Sequence, residues 1–475
     1  MALTQWLTAT TNAEGSMQHS RATICPNHIA TGLLLVSCLL LSACSTTAIP
    51  RGHSLAAVEK TLAENFPIAL LPPQTSQEDS LSANAAVQLL LQQSPKVRAA
   101  IARLGIADAQ QLQAELINNP HISIGAMKPD EGGRWQLDAG LSQPLLALFT
   151  RPLRRELAQE NLLLAQQQLQ AQLQALVVQT QRDYYRAVAT QQHVQVQQQV
   201  WEAARAQQQL ALSLYRAGNM AENKFLYYDN ELRRVEQQLN AFKQTAQEKR
   251  LQLFNLIGLQ STADFTLPTQ LPLPGDDIFV HRELMSIAKQ QRLDLRIAQQ
   301  QLTLLEKRRH LIKNEYGWRD IGLGINAERE FDGATNIGPA VEFSLPVFNR
   351  GQGALAGIDA QVSRLQAELQ QRELDMDLQI ASALNQLKTA QQQLTLLTQS
   401  LAVAQQRVAL ASREVNFMLS SPLELLAIKR DEIQLAHDYT DELNRYWQAR
   451  SQLELAIGQA LPLIPREHKE HHHHD

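Results

Sequence analysis

Apolar and polar positions along this chain follow one pattern that is then written a second time. Residues 85–117 are spaced as a helix. Two short alternating runs follow, His121-Ile122-Ser123-Ile124-Gly125-Ala126 and Trp135-Gln136-Leu137-Asp138-Ala139-Gly140-Leu141-Ser142, split by the polar turn Lys128 to Arg134. Period-two runs around a Gly-rich turn predict a β-hairpin. Residues 152–216 then read as one long helix, and at 1.5 Å per residue its ~65 residues would span roughly 100 Å. Leu157, Leu164, Ala171, Val178 and Tyr185 form one seven-residue series; Leu162, Leu169 and Leu176 form another. The series are five residues out of step, so they lie about 140° apart on the helix. Two stripes predict neighbours on two sides, where a simple surface helix needs one. After Ala217-Gly218-Asn219 a second helix returns over residues 220–257.

A Pro-rich break at 267–275 precedes the second copy. Ser94-Pro95-Lys96-Val97-Arg98-Ala99-Ala100 is echoed by Arg292-Leu293-Asp294-Leu295-Arg296-Ile297-Ala298. A second hairpin is predicted from Asp320 to Ala327 and Ile337 to Val347, with Phe343-Ser344-Leu345-Pro346-Val347 matching Leu141-Ser142-Gln143-Pro144-Leu145. A long helix over 353–415 follows; its Leu394, Leu401 and Val408 lie nearly opposite Leu396, Val403 and Leu410, again two-sided. The returning helix ends in Ile457-Gly458, as the first ends in Ile257-Gly258. Such a duplication is the strongest architectural signal in the chain.

Along the predicted strands Ile122, Ile124, Ala126, Leu137, Ala139, Leu141, Ile321, Leu323, Ile325, Val341, Phe343 and Leu345 alternate with Ser123, Gln136, Asp138, Asn326, Glu342 and Ser344. A half-buried soluble sheet alternates this way, and so does a membrane barrel with an apolar outside and polar lumen. Trp135 and Phe331 at one end, with Tyr316, Trp318, Phe149 and Phe348 at the other, are placed as interfacial girdles. Four strands cannot close a barrel of at least eight, and an open edge is not tolerated in lipid. The membrane reading therefore requires an oligomer, eight strands as a dimer or twelve as a trimer.

Composition narrows the choices. A net charge of −4 gives no electrostatic case for a nucleic-acid partner. Gln, Ala and Leu are in excess and aromatics reach only 5%, as in long-helix proteins. No His-Glu-x-x-His, Gly-x-Ser-x-Gly or P-loop occurs, and no catalytic constellation or cofactor site is read; an enzyme is not expected. Gly322-Leu323-Gly324-Ile325-Asn326-Ala327 mimics a dinucleotide fingerprint but opens no helix. The three cysteines, Cys25, Cys38 and Cys44, all lie near the start, so a disulfide framework or Cys nucleophile is not expected in the body.

The apolar run from Ile29 to Leu41 is too short to span a bilayer and ends in small residues, as a secretory signal does. Leu41-Ser42-Ala43-Cys44 resembles the bacterial lipobox, which implies cleavage after Ala43 and acylation of Cys44. Met17, with Arg21 close behind, is the expected start of that signal. Ser45 after the cysteine favours the outer membrane by the same resemblance. The chain divides into a signal at 1–43, a lipidated linker at 44–84, repeats at 85–266 and 281–460 joined by 267–280, and a His-rich tail at 461–475. His468, His471, His472, His473 and His474 could bind a transition metal through imidazole, or be a tag remnant or a plain tail.

Lipobox, twofold repeat, Ser344-Leu345-Pro346-Val347-Phe348-Asn349-Arg350-Gly351 and the Ile-Gly pairs together resemble the TolC-type outer-membrane efflux proteins, nearest to lipidated Cus-type cation and multidrug-efflux channels. The resemblance spans about residues 85–460. It implies a mainly α fold with a transmembrane β-barrel portion: a homotrimer, four strands per chain, a twelve-stranded barrel on an α-helical periplasmic tunnel. It further implies a passive exit duct for metal cations or small toxic compounds, anchored in outer-membrane lipid. The partners would be a periplasmic adaptor and an inner-membrane pump of the RND type. Adaptor docking would fall on the hairpin tips, at Arg216, Gly218, Asn219, Met220, Asn416, Ser420 and Ser421. Glu424 occupies a gate-acid position; the second acid of that gate is replaced by Ala427. By helix electrostatics alone, Glu424 is a first-turn carboxylate favoured by the dipole. The competing reading of the whole chain is a periplasmic coiled-coil adaptor or structural lipoprotein without a pore.

Overall fold

The computed structural model describes residues 80–462, apart from 129, 131, 264, 276, 277 and 318–320. Cys44, the signal, most of the linker, Trp318 and the His-rich tail lie outside the described residues.

The first repeat runs α1 (Ala83–Gln93), α2 (Pro95–Glu115), β1 (His121–Met127), β2 (Gln136–Pro144), α3 (Leu146–Arg216) and α4 (Glu222–Ile257). The second runs α5 (His281–Gln291), α6 (Leu293–Gly317), β3 (Gly322–Arg329), β4 (Thr335–Glu342), α7 (Gln352–Asn416) and α8 (Pro422–Ile457). With 71 residues, α3 is ~105 Å long, and α7 with 65 is nearly as long.

Three boundaries differ from the sequence reading. The predicted helix over 85–117 is two helices, because Pro95 removes a donor and restricts Ser94 to extended backbone. Helix α3 begins at Leu146 and runs through Pro152, its seventh residue, which has no N–H to donate to the Leu148 carbonyl. Strand β4 stops at Glu342, so Phe343 and Leu345 follow the strand. Glu342 pairs with Gly322, the first residue of β3.

The core lies part-way along the long helices. Leu253, Phe254 and Ile257 of α4 meet Val177, Val178 and Val188 of α3, Leu90 of α1, Met376, Ile380 and Leu387 of α7, and Leu443, Tyr446, Leu453 and Ile457 of α8. Both predicted stripes of α3 are wholly or partly buried. On α7 only one side is: Leu394 is buried, whereas Leu396, Val403 and Leu410 each stay more than half exposed. Within one protomer the second side of α7 is covered by no helix among the described residues.

The duplication reaches the capping details. Gly258 and Gly458 end α4 and α8 in left-handed backbone, at φ 86° and 83°. A β-carbon on Gly258 would meet the Gln93 carbonyl at 2.9 Å; on Gly458 it would lie 3.0 Å from the Gln291 carbonyl. Each glycine thus lets a returning helix end against the break between its own repeat's first two helices. Ser94 Oγ closes the first junction by donating to the Leu256 carbonyl at 2.9 Å, and Arg292 donates to the Ala456 carbonyl at 3.3 Å in the second. Arg250 and Arg450, two hundred residues apart, each donate to backbone carbonyls of the chain leaving their helix, Phe265 and Leu461. Gly458→Ala should cost about 1–2 kcal/mol from left-handed backbone, with overpacking added. A midpoint shift in chemical denaturation at unchanged slope checks this; an unaltered midpoint would refute the close-approach argument.

Candidate channel wall and hairpin tips

The four strands form one antiparallel sheet in the order β1-β2-β3-β4. Residues directly paired across strands share a face. One face collects the rows Ile122–Leu141–Ile325–Pro339, Ile124–Ala139–Ala327–Ile337 and Leu323–Val341. The other collects Ser123–Gly140–Asn326–Gly338 and Gly125–Asp138–Glu328–Asn336. Polar side chains lie over the glycines there: a β-carbon on Gly140 would come within 2.5 Å of Ser123 Oγ and 3.0 Å of Asn326 Oδ1. Gln136 hydrogen-bonds Glu328 across the same face. On the apolar face Ile122, Ile124, Ile325, Ile337 and Val341 are all more than half exposed.

Exposed Trp135 and Phe331 stand at the turn end, and exposed Phe149 and Phe348 at the helix end. Below the sheet α6 is tied to α3 by polar pairs. Lys307 Nζ lies 2.8 Å from Glu156 and 2.5 Å from Glu160. The hydrogen bond from Lys307 holds the Glu160 carboxyl below its ordinary pKa. The outer edges of β1 and β4 pair with nothing in the sheet. They run antiparallel to one another, as closure with further copies requires. Among the described residues no helix is long and apolar enough to cross a membrane; the sheet carries the only face suited to lipid among them.

At the opposite end each hairpin turns at a left-handed residue, Gly218 at φ 74° in the first and Met418 at φ 57° in the second. Asn219 N–H donates to the Leu214 carbonyl and Leu419 N–H to the Glu414 carbonyl, closing the two helix ends identically. Arg216 and Asn416 are the last helical residues of α3 and α7, and Met220 and Ser420 occupy corresponding places after the turns. The predicted tip residues are therefore together, two by two, at the ends of the hairpins.

Glu424 lies on the first turn of α8, exposed, and accepts from Ser420 Oγ at 2.9 Å. Ser421 caps the helix, accepting from Leu423 N–H at 3.2 Å. Ser421-Pro422-Leu423-Glu424 has the spacing of a capping box, a signal present in the sequence and not used above. Sequence reasoning also missed the apolar knob Phe417-Met418-Leu419, whose side chains are 75%, 93% and 78% exposed. Three consecutive apolar residues in a turn between polar helices were the available signal. Among the described residues no group of three or more metal-ligating side chains occurs.

A sheet with one lipid-suited face and one polar face, unclosed in a single chain and carried on helical hairpins ~100 Å long, has the form of one segment of a membrane barrel on a tall helical body. Residues 86–259 match the family model described as outer membrane efflux protein. The second repeat, beyond that match, carries the same elements in the same order. Solved structures share the fold. VceC from Vibrio cholerae matches at TM-score 0.63 and 16% identity over 80% of this chain and 96% of its own. CusC matches at 0.64 and 14% over 80% and 93%. The CmeC outer membrane channel of Campylobacter jejuni matches at 0.66 and 15% over 80% and 86%. A comparison with curated proteins finds no match for the chain. The matched family model favours an outer-membrane efflux protein over the competing reading of a poreless adaptor or structural lipoprotein.

Proposed function

We propose that this chain forms, as a homotrimer, the passive exit duct of a tripartite export system, passing metal cations or small toxic compounds. The observation that carries the reading is the four-stranded sheet: its apolar face suits lipid, its polar face suits a lumen, and both edges await partners. Three copies supply twelve strands, an even and antiparallel closure. The exposed side of α7 supports the same ring, since it offers each neighbour a stripe of Leu396, Val403 and Leu410. The adaptor meets the duct at the hairpin tips, where Phe417, Met418 and Leu419 give an apolar contact beside Arg216, Asn219 and Ser420. The pump, of the RND type, supplies the energy. Cys44 is acylated and tethers the chain to the outer membrane; mass spectrometry of the mature N-terminus reads that lipid directly.

Glu424 is the gate acid of this reading. Three carboxylates converging in a narrow passage would attract cations and hold them at close range. Its bond to Ser420 is also what a first-turn helix carboxylate makes, so the test must separate the two roles. Glu424→Gln should lower cation preference and weaken block by multivalent cations, with assembly unchanged. Single-channel recording across a salt gradient measures both. Wild-type reversal potential and block in the variant would leave Glu424 a helix-start residue only.

A further inference from the structure

One polar cluster in the helical body is used by nothing above. His193 of α3 and His437 of α8 are both buried, and their Nδ1 atoms stand 2.8 Å apart. Their rings are nearly parallel, 12° between planes, and Phe242 of α4 lies against both at 5.8 and 5.5 Å between centroids. His193 Nε2 lies 2.9 Å from Asp441 Oδ1. The three helices belong to both hairpins, so this contact joins the first hairpin to the second. Toward the tips, among the described residues, the polar contact between hairpins reduces to the ion pair Arg430–Glu231 at 3.6 Å. Glu231 is shared, since both its oxygens also accept from Arg234 of its own helix, so the pair with half-exposed Arg430 holds weakly.

The proton count in the cluster follows from its partners. A carboxylate only accepts, so His193 Nε2 donates to Asp441 and its Nδ1 presents a lone pair. His437 must then donate through Nδ1, which leaves its Nε2 as a bare acceptor. That Nε2 is buried and meets no hydrogen-bond partner. An extra proton has no good place: on His437 Nε2 it faces no acceptor, and on His193 Nδ1 it drives His437 to put its own proton on Nε2. Two imidazolium rings at this separation would also repel across a buried gap.

We propose that the His193–His437 pair is a proton-sensitive latch between the two helical hairpins, closed when the His437 ring is neutral and released when it takes up a proton. Burial, with the neighbouring His193, holds the His437 imidazole down to about 4, against an upward pull from Asp441 and Asp438. Phe242, the α4 side chain against the rings, is uncharged, and the buried side chains of α7 are all apolar. A ring whose pKa is depressed in the closed state favours closure above the free value of 6.5. That preference fades as pH falls from 6.5 toward 4. His437 lies fifteen residues into α8, so release at this point frees the ~22 Å of helix that leads to Glu424 and the tip. The latch goes beyond the exit-duct reading, which supplies only its consequence, an easier opening in acid.

Hydrogen exchange of the purified full-length assembly tests it without relying on conduction. With exchange rates corrected for intrinsic pH dependence, protection of α8 between its start and His437 should fall about tenfold from pH 7.5 to 5.5. In H193L/H437L it should not change with pH. H437Q, which keeps a hydrogen-bonding group and does not titrate here, should behave likewise, and it carries the test if the double variant fails to assemble. Protection that is flat with pH in the wild type, or that falls equally in the non-titrating variants, overturns the latch. Conductance recorded on the same samples separates the two readings: a tenfold loss of protection with unchanged conductance supports the latch and removes the hairpin-tip gate.

Discussion

Ile325→Arg should abolish assembly into the membrane, while Asn326→Arg, one residue further along the same strand, should assemble. Ile325 sits mid-strand on β3, between Leu141 of β2 and Pro339 of β4, and more than half of it is exposed. On a lipid-facing wall a charge there costs about 2–4 kcal/mol near mid-membrane. A closed ring of three repeats the penalty in every copy. Asn326 shares its row with Ser123, Gly140 and Gly338, so an arginine there extends into a wet lumen at small cost. Heat-modifiable migration of outer-membrane fractions reads both outcomes. Equal behaviour of the two variants would mean that the faces do not differ in environment.

Replacing Val403 by Asp, or Leu396 and Val403 together, should dissociate the ring into folded protomers. These side chains lie on α7, outside the protomer's own packing and spaced by seven with Leu410. Burying such a side chain against a neighbour contributes about 1–2 kcal/mol, given that roughly half its surface is already covered. A buried carboxylate without a partner adds its desolvation cost. Size-exclusion chromatography with light scattering should show the loss of the assembled form while circular dichroism stays helical. An intact ring in the double variant would place this stripe in solvent or against another protein.

How much of this was legible follows from where the determinants lie. The duplicated hairpins were, because each element is set by local periodicity and by Gly or Pro at its ends. Gly218 and Met418, like Gly258 and Gly458, recur at a spacing of two hundred. Boundaries that depend on distant partners were not. Ser94 is a helix break held by the Leu256 carbonyl, and β4 ends at Glu342, opposite Gly322 at the start of β3. The sheet face was readable by alternation, yet the order β1-β2-β3-β4, which leaves both edges open, needed the structure. The two-sided pattern of α7 was readable as well, although its second stripe, Leu396, Val403 and Leu410, stays more than half exposed in the protomer. At the tips Glu424 was found by resemblance, while the knob Phe417-Met418-Leu419 broke no rule that alternation or heptads could flag. His193 and His437 stand 244 residues apart with no motif around them, so only folding brings them together.

The account rests on closure by three copies. Native mass spectrometry of the full-length protein, extracted from outer membranes in mild detergent, measures that stoichiometry directly. It should give complexes of three chains, with any larger species in multiples of three. A stable, membrane-extracted monomer or dimer as the sole species would contradict the twelve-stranded channel and leave the open sheet edges unexplained.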